Sequence, residues 1–202
     1  MCGIVAVVAR RDCTEILLEG LRRLEYRGYD SAGFALVDRH GTLVSHKCLG
    51  RVAALEDAQR ASPKHGGSGI AHTRWATHGE PSVVNAHPHI INDRIAVVHN
   101  GIIENHTALR EALAATGREC VSATDTEVVA HMIDAAVSEG GDLLPAVQSV
   151  LSQLEGAYAL AVVNRETPDT IVVARQGSPL VLGVGIGENF AGSDTLALRS
   201  VT

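Results

Sequence analysis

MCGIVAVVA, residues 1–9, sets a thiol directly behind the initiator methionine and follows it with glycine and an apolar, largely β-branched run. Gly3–Ala9 reads as a strand, ended by Arg10-Arg11-Asp12. A cysteine at its head has two readings. It is a buried structural residue, or it becomes the first residue of the mature chain, with a free α-amine beside its own sulfur once Met1 is removed. An α-amine has a pKa of about 7.7–8.0, so a useful fraction is neutral near pH 7. It can take the thiol proton directly or through one water, and one residue then supplies both nucleophile and base. Cysteine suits acyl transfer, being partly thiolate at neutral pH and a good leaving group.

Composition narrows the classes. The 202 residues suffice for one domain with a sizeable core and are short for two. A net charge of -6 and 3% aromatic residues disfavour phosphate-backbone binding and base stacking, so no nucleic-acid partner is expected. No apolar run approaches the roughly 20 residues of a membrane helix. The first apolar run is short and lacks the basic lead-in of a secretory signal. Cys2, Cys13, Cys48 and Cys120 are unevenly spaced with no CxxC pair, which fits a reducing cytoplasm better than a disulfide framework.

Further strands are expected at 33–38, 42–49, 69–73, 95–99, 158–164, 170–174 and 180–184. Helices are expected at 14–24, with Leu17, Leu18, Leu21 and Leu24 on one face, from Asn105 to Thr116, after the capping box Thr124-Asp125-Thr126-Glu127, and at 143–154. Hairpins alternating with paired helices imply an α+β protein with antiparallel sheets covered by helices. The segment from Trp75 to Arg94 has no clean period and reads as a functional loop of about 20 residues.

Chemistry concentrates in few places. His72, His78, His87 and His89 form no HExxH and have no cysteine nearby, so hydrogen-bonded loop histidines are expected and no metal. Gly183–Gly187 lacks GxGxxG spacing and reads as a strand turn. Asn100-Gly101 offers an amide side chain and a closely approachable backbone N–H, a donor pair suited to an oxyanion, although a plain Asn-Gly turn is the alternative. Arg74, ending a strand, suits bidentate carboxylate binding. Asp125 suits an ammonium group, or simply the helix dipole.

MCGIV (1–5), LRRLEYRGYDSAG (21–33), HTRWATHG (72–79), NAHPH (85–89), HNGIIEN (99–105) and TDTE (124–127) follow one another in this order. With them the chain resembles the class II glutamine amidotransferases, and among these the glutaminase domains of the glucosamine-6-phosphate synthase family, glutamine:fructose-6-phosphate aminotransferases, from residue 1 to about residue 195. Other class II amidotransferases share the Cys-Gly start and the Asn-Gly pair, but not YRGYDSAG together with HTRWATHG. The resemblance implies a four-layer αββα sandwich of the N-terminal-nucleophile hydrolase type. It implies that Cys2 attacks the side-chain amide of L-glutamine, that Asn100 and Gly101 hold the oxyanion, and that Arg74 binds the substrate carboxylate and Asp125 its ammonium. Thr77 and His78 would complete the pocket, and Trp75 would gate ammonia. No cofactor is implied. Residues 1–202 are expected to form one glutaminase domain shortened at its C-terminal end, where Leu198-Arg199-Ser200 departs from the family pattern. The sugar-isomerase domain that binds fructose 6-phosphate would be absent, and the full-length enzyme would be a cytoplasmic homodimer. The alternatives are the glutaminase of another class II amidotransferase, or a non-catalytic glutamine-binding fragment.

Overall fold

The computed structural model describes residues 2–76 and 79–201. Its elements are β1 (Gly3–Ala9), α1 (Thr14–Leu24), β2 (Ser31–Val37), β3 (Leu43–Leu49), α2 (Val52–Ala61), β4 (Ser68–Arg74), β5 (His89–Ile91), β6 (Ile95–Ile103), α3 (His106–Ala115), α4 (Asp125–Ser138), α5 (Leu143–Leu151), β7 (Gly156–Asn164), β8 (Ile171–Gln176), β9 (Val181–Val184) and β10 (Glu188–Gly192). One sheet runs β3-β2-β4-β1-β10-β9 and the other β5-β6-β7-β8, with antiparallel neighbours throughout.

Side-chain alternation along the strands sorts the core into three layers. On one face of β1, Val5 and Val7 meet Leu17, Leu18, Leu21 and Leu24 of α1 and Leu55 of α2. On the other face, Ile4 and Ala6 meet Ala96, Val98, Ala159 and Ala161 of the second sheet. The outer face of that sheet, with Val97, Leu160 and Val162, packs on Ile133 of α4 and Val147 of α5. Three apolar layers separate four layers of secondary structure, which is the expected αββα sandwich. The inter-sheet layer is built largely from alanine and β-branched residues, so the sheets interdigitate without large aromatic rings. Each fully buried leucine of α1 contributes about 1.5–3 kcal/mol through burial, more than helix propensity could supply.

Several local expectations shift. β6 runs on to Ile103, so Asn100 and Gly101 lie inside a strand and form no Asn-Gly turn. Asn105 precedes α3, but its side chain bonds Gln153 O and Glu155 N instead of capping the helix. Thr124 accepts from Glu127 N as a cap, whereas the Glu127 carboxylate accepts from Val121 N and Ser122 N, so the capping box is only half made. α5 stops at Leu151. The segment after Trp75 is no open loop: Asn85, His87 and His89 are buried, and β5 pairs with β6. α2, β5 and β10 were not expected; α2 buries only Val52, Leu55 and Gln59, β5 has three residues, and β10 begins Glu188-Asn189. Gly183–Gly187 forms the β9–β10 hairpin, closed by Gly185 N donating to Glu188 O.

Candidate active site

The inter-sheet layer turns polar at one end. Along the inward face of β4, Ile70 gives way to His72 and then Arg74. Along that of β6, Ala96 and Val98 give way to Asn100. β1 and β4 pair with Gly3 opposite Thr73, which brings Cys2 beside Arg74. The head of β1 therefore sits where the apolar layer ends and ionisable groups begin.

Cys2, Arg74, Trp75, Gly101 and Asp125 line one cleft there, together with His87 and His99. Asn100 lies beside it and donates from Nδ2 to the Cys2 carbonyl at 3.1 Å. The second N–H of that amide has no acceptor among the described residues. Asp125, in the first turn of α4, is almost fully buried; its Oδ2 accepts from Ile103 N at 2.8 Å, and Oδ1 lies 3.8 Å from His99 Nδ1. Arg74 is buried and donates to the carbonyls of Gly79 and Glu80 at 3.2 and 3.4 Å. Thr77 and His78 lie outside the described residues. A wider depression of the surface, about 550 Å³, is at the opposite end of β1, around Arg10, Asp12, Asp38 and His40, and holds none of these groups.

Cys2 Sγ accepts from Trp75 N at 3.3 Å, and the thiol can donate to Trp75 O at 3.5 Å. Burial pushes the Cys2 thiol up, and the Trp75 hydrogen bond only partly offsets this. Cys2 therefore rests as a thiol, not as the partly ionised thiolate expected from its ordinary pKa. Gly3, next to the thiol, is tightly enclosed. A Cβ there would stand 2.7 Å from Thr73 Oγ1 and 2.8 Å from Leu24 Cβ, so its small size serves packing against α1 and β4.

The YRGYDSAG stretch acquires a role that sequence reasoning left blank. Asp30 Oδ2 accepts from Ala76 N, and Asp30 N donates to Arg74 O at 3.1 Å. The Tyr29 ring meets that of Trp75 edge-on at 5.5 Å. Arg27 pairs with Asp194, which caps the turn Thr195–Leu198, and Leu198 packs into the core below α1. Tyr29 and Asp30 thus hold the Arg74–Ala76 segment over the thiol. The signal was an Asp within a motif, but its partner stands 46 residues away and only the β2–β4 ladder brings them together.

The histidines form a buried network rather than loop contacts. His72 Nε2 lies 3.0 Å from His99 O and 3.1 Å from Asn100 Oδ1; His87 Nδ1 lies 3.2 Å from His72 Nε2; His89 Nε2 contacts Thr124 Oγ1 at 2.9 Å. Burial pushes His72 and His89 down to about 3, and burial with neighbouring histidines holds His87 well below its usual value. All three are neutral when folded, while the unfolded chain protonates them below about pH 6.5. Their contribution is intact above that pH and is lost on acidification. Between pH 6.5 and 5 the unfolding free energy is expected to fall with a slope that steepens toward about 1.4 kcal/mol per pH unit for each histidine that stays neutral. Denaturant titrations at stepped pH check this; a flat profile over that interval would show the histidines protonating in place.

Residues 72–199 match a family model described as a glutamine amidotransferase domain. The chain belongs to the glutamine amidotransferase domain family. This amidotransferase domain is 59% identical, over its whole length, to glutamine–fructose-6-phosphate aminotransferase (isomerizing) from Escherichia coli K12 and from Salmonella typhimurium LT2, and spans about a third (33%) of those proteins. Among solved structures it is similar to the glutamine phosphoribosylpyrophosphate amidotransferase of B. subtilis, with TM-score 0.84 and 29% identity over 98% of this chain and 43% of that one. A glutamine aminotransferase class-II domain protein from Silicibacter pomeroyi shares the fold, with TM-score 0.63 and 16% identity over 95% of this chain and 87% of that one. The domain thus has the amidotransferase fold of the N-terminal-nucleophile type. No described helix is long and apolar enough to cross a membrane.

Proposed function

We propose that this domain hydrolyses L-glutamine to glutamate and ammonia, with Cys2 as nucleophile. The observation that carries the reading is the convergence of Cys2, Arg74, Gly101 and Asp125 on one cleft, with the Asn100 amide anchored to the Cys2 backbone. A thiol raised by burial requires a base, and the Cys2 α-amine, freed by loss of Met1, is the base attached to the same residue.

In the first step the amine takes the thiol proton and sulfur attacks the amide carbon of the substrate side chain. The carbonyl π electrons move to oxygen, where the Asn100 Nδ2 and Gly101 N–H groups receive the negative charge. The ammonium returns its proton to the nitrogen as the C–N bond breaks, releasing ammonia and leaving a γ-glutamyl thioester. Water then gives a proton to the amine and attacks the thioester, and C–S cleavage restores the thiol and frees glutamate. Arg74 binds the α-carboxylate and Asp125 the α-ammonium; each is buried, so each interaction is only weakly screened. Thr77 and His78 complete the pocket, and Trp75, about half exposed and hinged on Tyr29, gates ammonia. In the longer protein the ammonia would convert fructose 6-phosphate, bound by a sugar-isomerase domain, to glucosamine 6-phosphate within a cytoplasmic homodimer. The 59% identity to the isomerizing aminotransferases favours this outlet over a purine-forming one.

Arg74→Ala is expected to raise the KM for glutamine by about 10²-fold, the scale of a lost charge-assisted pair, while Cys120→Ala leaves it unchanged. Arg74→Lys, which keeps the charge without the planar fork, should fall between them. Steady-state glutaminase kinetics on the three variants check this, and equal KM values for Arg74→Ala and Cys120→Ala would make Arg74 a scaffold residue.

A further inference from the structure

An oxyanion donor made from asparagine has a built-in ambiguity. The side-chain amide presents NH₂ on one side and C=O on the other, and a half-turn about its last bond exchanges an attractive donor for a repulsive oxygen. Something must hold Asn100 with its NH₂ toward Cys2. We infer that His72 is the positioning residue that holds it so, through a single Nε2–H shared between Asn100 Oδ1 and the His99 carbonyl.

The proton's place follows from the acceptors around it. His99 O, 3.0 Å from His72 Nε2, is a carbonyl and can only accept, so Nε2 carries the proton. His72 is wholly buried, and its Nδ1 has no hydrogen-bond partner among the described residues. A bare ring nitrogen there costs less than an unpaired N–H, which again assigns the proton to Nε2. The same proton faces Asn100 at 3.1 Å, and a donor opposite a donor would repel, so Asn100 turns Oδ1 to His72 and Nδ2 to the Cys2 carbonyl. His87 Nδ1, 3.2 Å from the same nitrogen, is unprotonated by the same reasoning. Burial keeps His72 neutral through the working pH range, so the assignment does not reverse on mild acidification. The strand parity that carries Ile70 into the apolar inter-sheet layer carries His72 to its polar end, directly across from Asn100.

This inference rests on the oxyanion reading of Asn100, and one set of variants tests the two separately. Glutamine hydrolysis is measured in Asn100→Ala, His72→Leu, their double variant, His72→Gln and His72→Asn. His72→Leu is expected to lower kcat on the order of 10–100-fold, part of the 10²–10³ lost when an oxyanion donor is removed. KM should stay within about twofold, because Arg74 and Asp125 are untouched, and alkylation of Cys2 by iodoacetamide should keep its rate. Glutamine places an amide N–H near the Nε2 position and should restore most of kcat; asparagine, which mimics Nδ1, should not. The double variant should be no slower than Asn100→Ala alone. If His72→Leu fails to fold, the contrast between the two polar replacements decides the question. Multiplicative losses in the double variant, wild-type kcat in His72→Leu, or equal rates for His72→Gln and His72→Asn would overturn the role given to His72. Wild-type kcat in Asn100→Ala would instead overturn the oxyanion reading beneath it.

Discussion

Cys2→Ala is expected to abolish glutamine hydrolysis while leaving the fold unchanged. The sulfur contacts only the Trp75 backbone among the described hydrogen bonds, and Cys2 is partly exposed at the end of β1, outside all three apolar layers. Removing it costs little packing. The chemistry has no substitute, because Cys13, Cys48 and Cys120 are absent from the cleft and burial pushes Cys13 up to about 12. Without the thiol the α-amine has nothing to deprotonate for attack, and losses of that kind reach 10⁴-fold or more in kcat. The measurement is ammonia release with a melting curve alongside; a Cys2→Ala protein that still turns over glutamine removes the nucleophile assignment.

Gly101→Ala is the second large effect, and it reaches stability as well as rate. Gly101 has φ +127 within β6, a conformation that L-residues rarely adopt, and an added Cβ would stand 2.0 Å from Ala157 O of β7. The ladder between β6 and β7 has to open for the methyl to fit. The expected destabilisation is about 3–5 kcal/mol, combining backbone strain with a clash that cannot be relieved by rotating a side chain. In whatever fraction folds, the shifted N–H no longer meets the developing oxyanion, and kcat should drop by about 10²–10³. Chemical denaturation and single-turnover thioester formation measure the two effects separately. A variant with unchanged stability would mean that β6 accommodates the methyl, and an unchanged rate would remove Gly101 from the oxyanion hole.

Much of this was legible in the chain because the strands are short apolar runs with sharp ends. Gly3–Ala9 and Thr14–Leu24 have the same bounds in the sequence reading and in the structure, one from its β-branched run and the other from four leucines on a helical face. Polar or weakly patterned elements escaped. β10 opens with Glu188 and Asn189 and is held by its pairing with β1 and β9, and α2 buries too few side chains to show a stripe. The cleft was legible as residue types: a thiol, an amide beside a glycine, a cation and an anion. How they are held was not. Asp30 bonds Ala76, His72 bonds Asn100, and Arg27 bonds Asp194 across separations of 46, 28 and 167 residues, and no local period records such pairs. The rest state of the thiol was also hidden, since burial sets it and burial belongs to the assembled sandwich.

The most direct test joins the N-terminus to the chemistry: the protein is treated with an electrophilic glutamine analogue, and mass spectrometry reads both the mature N-terminal residue and the labelled site. Complete loss of Met1 and a single label on Cys2, with Cys13, Cys48 and Cys120 unmodified, is the expected result. Quantitative retention of Met1 with Cys2 unlabelled, in a preparation that still hydrolyses glutamine, would contradict it.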